Sequence, residues 1–100
     1  MSQPTATRTV TVANRDGLHA RSALAVLGCV REFQAKVELV SDRQRADAGD
    51  IWQTLALGAR QGVVLRLEAT GPDAEEAVDA VARLFAARFH EEDNPEAERG

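Results

Sequence analysis

Thr7-Arg8-Thr9-Val10-Thr11-Val12-Ala13 runs into Asn14-Arg15-Asp16-Gly17 and on into Leu18-His19-Ala20-Arg21-Ser22. Residues 7–13 alternate polar and apolar side chains, many of them β-branched, and so predict a strand with one buried face. Asn14 to Gly17 are turn residues that end it. From Ala20 the apolar spacing changes to that of a helix, with Ala20, Ala23, Leu24, Leu27, Val30 and Phe33 on the inner stripe and Arg31 and Glu32 left for solvent. This switch puts His19 at a strand-to-helix corner, at the N-terminus of the helix.

That position has chemical meaning. The first turn of a helix offers unpaired backbone N–H groups and the positive end of the dipole, which favour a bound anion such as a phosphoryl group. Arg21 adds a planar fork of donors matched to phosphate oxygens. Spacing alone also fits an ordinary polar histidine at a surface corner.

Outward from this corner, Lys36–Val40 reads as a second strand with Ala35, Val37 and Leu39 inward. Ser41-Asp42-Arg43 turns the chain, and Gln44–Ala46 predicts a short polar edge strand. Asp50 and Gln53 have the spacing of a capping box. A short helix follows, through Leu55 and Leu57 to a stop at Gly58. Val63–Thr70 is the clearest strand, with Val63, Leu65, Leu67 and Ala69 on one face. Asp73 and Glu76 form a second capping pair, ahead of a helical stripe of Ala77, Val78, Val81, Leu84, Phe85 and Phe89. Gly28, inside the first helix, is read as a point of close packing on the sheet. The order βαββαβα predicts an α+β open-faced sandwich, a four-stranded antiparallel sheet with three helices on one face. Residues 1–6 and the polar, acid-rich residues 91–100 are expected to be disordered and to flank one domain over 7–90.

Composition narrows the classes. A chain of 100 residues with 44% hydrophobic and 28% charged side chains is an ordinary globular domain. It has no apolar run near the roughly 20 residues of a bilayer span, and its start lacks the pattern of a secretory signal, so a cytoplasmic location without membrane insertion is expected. A formal net charge of −4 and four aromatic residues in every hundred argue against nucleic acid. Arg15, Arg21 and Arg31 can still form a local positive surface that suits an acidic protein partner. Cys29 is the single cysteine and is expected in the core. The two histidines, His19 and His90, lack metal-site spacing, so neither metal nor cofactor is expected.

Taken together, Gly17-Leu18-His19-Ala20-Arg21, Phe33, Gly49-Asp50-Ile51-Trp52, Leu55-Ala56-Leu57-Gly58-Ala59, Gln61-Gly62 and Gly71-Pro72-Asp73-Ala74-Glu75-Glu76-Ala77 resemble HPr, the histidine-containing phosphocarrier family of the phosphoenolpyruvate:sugar phosphotransferase system. The resemblance covers residues 7 to about 89. It implies that His19 accepts a phosphoryl group on Nδ1 from phosphorylated enzyme I and passes it to an acceptor protein, with Arg21 stabilising the group. It also implies that Ala20, Ile51, Trp52 and Leu55 belong to the surface that enzyme I and the acceptor grip. On a short helix Ile51 and Leu55 share a side while Trp52 lies about 100° away, and the pattern alone fits Trp52 as core or as surface.

Three positions depart from the family. Ser22 stands where proline is usual, and the loss of proline's preset φ predicts a looser helix start. Asp16 stands where asparagine is common. Asp50 stands where many members carry a serine that a kinase phosphorylates, and it permits a second reading, a regulatory module in which Asp50 imitates phosphoserine and docks a regulatory protein.

Overall fold

The computed structural model describes residues 3–90. Four strands, β1 (Thr5–Thr11), β2 (Lys36–Val40), β3 (Arg45–Asp47) and β4 (Val64–Thr70), form one antiparallel sheet in the order β1-β4-β2-β3. Helices α1 (Ala20–Val30), α2 (Ile51–Ala56) and α3 (Ala74–Ala86) complete it. Because β4 pairs antiparallel with both β1 and β2, those two strands are mutually parallel and α1 is the crossover between them. By the same logic α2 crosses from β3 to β4, with β2 lying between. This is the open-faced α+β sandwich that the element order predicts.

Strand alternation builds the core. Ala6, Val10, Val37, Leu39, Ala46, Leu65, Leu67 and Ala69 face the helices and are buried. Ala23, Val26 and Val30 of α1 and Ala77, Val78, Val81 and Phe85 of α3 cover them. The opposite face carries Thr7, Thr9, Arg66 and Glu68, with Glu68 held between Arg45 (2.7 Å) and Arg66 (2.6 Å). Each fully buried leucine contributes about 1.5–3 kcal/mol, so Leu39, Leu65 and Leu67 outweigh these solvent-exposed ion pairs.

β1 starts at Thr5 rather than Thr7, because Thr5 and Ala6 pair with Thr70 and Ala69 and the Pro4 carbonyl accepts from Gly71 N at 2.9 Å. The expectation of disorder up to residue 6 therefore fails for Thr5 and Ala6; that for 91–100 lies outside the described residues. β3 is displaced one residue, to Arg45–Asp47. Helix α1 ends at Val30 and is turned about its axis relative to the expected stripe. Ser22, Ala23, Val26 and Val30 are its buried residues, and Leu24 is 55% exposed. Gly28 is exposed and a Cβ there would touch nothing, so it marks no close packing. Cys29 is only partly buried, and its surroundings push its thiol pKa up, through burial first and Glu32 second.

The two capping pairs fare differently. Asp50 accepts from Trp52 N (3.0 Å) and Gln53 N (3.2 Å), whereas Gln53 reaches back to Asp47 N (2.9 Å) and not to the backbone of Asp50. Asp73 sits at the α3 N-cap but makes no side-chain cap bond. Its carboxylate instead accepts from Gln34 N (2.9 Å) and Ala35 N (2.8 Å), fastening the loop before β2 to the start of α3. Those amides hold its pKa below the ordinary carboxylate value of about 3.9. A depressed folded pKa gives stability that is complete above the unfolded pKa and lost as pH falls through the folded one. Asp73→Asn should therefore be less stable at neutral pH and should lose less on acidification than wild type. Urea midpoints for both proteins between about pH 6 and pH 2 check this, and parallel curves would show that the clasp contributes nothing.

Helix α3 stops at Ala86, short of the expected Phe89. Arg88, Phe89 and His90 all take left-handed backbone angles (φ 54, 56 and 59°). The reversal returns Phe89 to the core, edge-on to Phe85 with ring centroids 4.8 Å apart.

Candidate functional site

His19 is the N-cap of α1, in extended conformation (φ −132°, ψ −173°). Its Nδ1 accepts from Arg21 N at 3.3 Å, while its own N–H donates to Ser22 Oγ at 2.9 Å. Ser22 is completely buried, and its hydroxyl lies 3.1 Å from His19 O and 3.3 Å from Gly17 O. The looser helix start expected without proline is thus not found. A hydroxyl at the third helical position ties both sides of the corner, and it also sets the helix phase that turns Leu24 outward.

The corner is seated on the segment that follows α2. Leu18 N donates to Ala59 O at 2.8 Å. Gly17 has φ +69°, and a Cβ on it would lie 2.5 Å from Ala59 O and 3.0 Å from Arg60 Cα. Only glycine permits both that angle and that approach. Buried Asn14 closes the turn by donating from Nδ2 to Gly17 O at 2.7 Å. Ser22 and Asn14 are the supports that residue-type reasoning missed. The serine had a legible signal, since a hydroxyl three residues after an N-cap is one half of a capping box.

A nitrogen that accepts an N–H bond presents a lone pair, which places the proton of the neutral imidazole on Nε2. The Nδ1 lone pair is directed at the first-turn amides of an 11-residue helix, so an electrophile bonded there would put its oxygens against the positive helix end. Arg21 is exposed and enters no ion pair among the described residues, leaving its guanidinium able to approach such an anion.

Helices α1 and α2 pack side by side. Ala20 and Leu24 are exposed on the first, Trp52 is 77% exposed on the second, and Ile51 and Leu55 are half-buried. The exposed alternative for Trp52 is the one found. Among the described residues no hydrogen bond joins Asp50 to His19. The Asp50 carboxylate is engaged by the first-turn amides of α2, accepting from Trp52 N and Gln53 N. Among the described residues no three His, Cys, Asp or Glu side chains cluster as metal ligands, and no helix is long and apolar enough to cross a membrane.

An open-faced sandwich that offers a histidine nitrogen at a helix N-terminus, beside an exposed arginine and an exposed apolar patch, has the form of a protein that takes up an anionic group and presents it to other proteins. Comparison with known proteins agrees. The profile described as "PTS HPr component phosphorylation site" matches residues 6–87, and the chain belongs to the HPr family of phosphocarrier proteins. The phosphocarrier protein HPr of Treponema pallidum (strain Nichols) is 40% identical over 85 residues, 85% of this chain and 97% of that one. The phosphocarrier protein NPr of Escherichia coli (strain K12) is 37% identical over 89 residues, 88% of this chain and 99% of its own. The crystal structure of HPr-C-His from Thermoanaerobacter tengcongensis superposes with a TM-score of 0.83 at 33% identity, covering 87% of this chain and 98% of the other.

Proposed function

We propose that this phosphocarrier works through His19, which accepts a phosphoryl group from phosphorylated enzyme I in the cytoplasm and hands it to an acceptor protein of the same phosphotransferase system. The observation that carries the assignment is the bond from Arg21 N to His19 Nδ1 at the α1 N-cap. In the reaction the Nδ1–P bond forms as the donor's bond to phosphorus breaks, and the Arg21 N–H that faced the lone pair turns to a phosphoryl oxygen. The Arg21 guanidinium adds a second, charge-assisted contact. In the onward step the acceptor attacks phosphorus and the imidazole leaves with its electron pair on Nδ1. The test is incubation with phosphoenolpyruvate and a cognate enzyme I. Acid-labile, base-stable label is expected, and unlabelled protein beside a competent control carrier would refute the reading.

Trp52 serves in this reading as an anchor for partners, supported by its exposure beside α1. Trp52→Ala should leave the melting temperature almost unchanged and weaken enzyme I binding by about 2 kcal/mol or more. Thermal denaturation and titration calorimetry measure the two effects, and in the wild type the emission of the single tryptophan should change on adding enzyme I. A large stability loss with intact binding would show that the side chain supports the fold instead.

Asp50 acts here as a cap. Asp50→Ser keeps an N-cap oxygen and removes a charge from the docking face, so phosphorylation should be faster at an equal melting temperature. Equal or slower phosphorylation would show that the charge has no part in docking.

A further inference from the structure

Ser22 turns two groups back toward the histidine. Its hydroxyl accepts from His19 N at 2.9 Å and lies 3.1 Å from His19 O and 3.3 Å from Gly17 O. Its backbone N–H points the same way, because the capping box at the start of α1 has the His19 side chain accepting from that amide as well as from Arg21 N. The acceptor is Nδ1, the ring nitrogen nearer the backbone. Ala23 N to His19 O, at 2.8 Å, is the first bond inside the helix, so the Ser22 amide belongs to the turn that has no intrahelical acceptor. The whole residue is shut off from water, with none of its surface exposed.

Phosphorylation changes the position of these amides. In the free protein both turn to one uncharged nitrogen, and the bond from Arg21 N is long at 3.3 Å. When Nδ1 bonds to phosphorus its lone pair is used, and both amides lose their acceptor. Arg21 is exposed, so its N–H has water to turn to. Ser22 N has no such recourse, and an amide left unpaired away from water is costly. The phosphoryl oxygens supply the replacement, since they sit on the atom that Nδ1 holds. They also carry charge, and hydrogen bonds to a charged acceptor are shorter and roughly twice as strong as neutral ones.

We propose that Ser22 sets how firmly this carrier holds its phosphoryl group. Its amide is a second backbone donor to the phosphoryl oxygens beside that of Arg21, and its hydroxyl positions His19 for both. The inference deepens the phosphocarrier reading at His19 and rests on it. No bond is made or broken beyond those of the transfer itself. Ser22 stabilises the Nδ1–P form relative to phosphorylated enzyme I, so a larger share of the phosphoryl group stays on the carrier at equilibrium.

Ser22→Ala and Ser22→Pro separate the two groups. Alanine removes the hydroxyl and keeps the amide, whereas proline, which the first turn of a helix tolerates, removes both. The difference between these variants therefore reads the amide. The quantity measured is the equilibrium constant for phosphoryl exchange with enzyme I, from the labelled fractions at several mixing ratios, with the melting temperature of each protein alongside. Relative to Ser22→Ala, Ser22→Pro should move the exchange about tenfold toward enzyme I, the size expected of one charge-assisted bond. A second measurement needs no variant and decides even where Ser22→Pro does not fold. In isotope-labelled wild type, phosphorylation should move the Ser22 amide proton downfield, and further than that of Ala23, whose N–H stays bonded to His19 O. Equal exchange constants for the two folded variants, or a Ser22 amide proton that stays in place while the wild type is labelled, overturn this inference and leave His19 as the acceptor. Wild type that takes no label overturns the phosphocarrier reading, and this inference with it.

Discussion

His19→Asn should fold as the wild type does and take up no phosphoryl group. Asparagine is among the best N-cap residues and can accept from the same first-turn amide, so the α1 start keeps its partner while the nucleophilic nitrogen is gone. His19→Ala also removes the nucleophile but loses the cap, at about 1 kcal/mol, or roughly 4–8 °C in melting temperature for a domain of this size. The pair of variants separates chemistry from folding, because both should show label from phosphoenolpyruvate at background and only the alanine variant should melt early. His90 cannot substitute. It follows a helix C-terminus, where exposed carbonyls disfavour an anion. Acid-labile label persisting in His19→Asn would place the acceptor elsewhere.

Gly17→Ala is expected to be the most damaging single-methyl change near the site. The added Cβ would sit 2.5 Å from Ala59 O while the backbone is held at φ +69°. A left-handed non-glycine residue alone costs on the order of 1 kcal/mol, and the neighbour to be displaced is backbone rather than a flexible side chain. A loss of about 2–4 kcal/mol follows, lowering the melting temperature by about 10 °C or more. Relief of the clash must separate Leu18 N from Ala59 O, now 2.8 Å apart, and so move His19 against Arg21 N. Transfer should slow even at temperatures where the variant is folded. Thermal denaturation and single-turnover phosphorylation measure the two effects, and a melting temperature within a degree or two of wild type would show that the seam yields cheaply.

Element type was legible almost throughout because the strands alternate cleanly and the helices are punctuated by turn residues. Ambiguity arose where hydrophobicity and local spacing had to stand in for long-range geometry. Leu24 reads as core, yet the buried Ser22 rotates α1 so that a serine goes inward and a leucine outward. Asp73 and Glu76 have capping-box spacing, but the Asp73 carboxylate is taken by Gln34 and Ala35, far away in sequence. Phe89 continues a helical stripe, although the chain reaches the same core contact through a left-handed turn. The candidate residues were easier to name than their support. His19 and Arg21 stand out by residue type and the exposure of Trp52 came only with the structure, whereas the approach of Gly17 to Ala59 is a relation between backbones that no single residue announces.

The place of β4 in the sheet has a bearing on synthesis. Among the described residues it is the last strand to leave the ribosome, and it pairs with both β1 and β2, lying between them. Until it emerges, β1 has no neighbour to bond and only the small β2–β3 hairpin can form by itself. A two-stranded hairpin is marginal in water at best, so the nascent chain has little to consolidate over its first two thirds. Its folding is then a single late event, gated by the entropy of closing the loop between β1 and β4 and completed once α3 arrives to cover the sheet. Mutations that weaken β4, such as truncation of Leu65 or Leu67, would reduce cellular yield more than their effect on the finished protein suggests, because they act when the exposed inner faces of β1 and β2 still await cover.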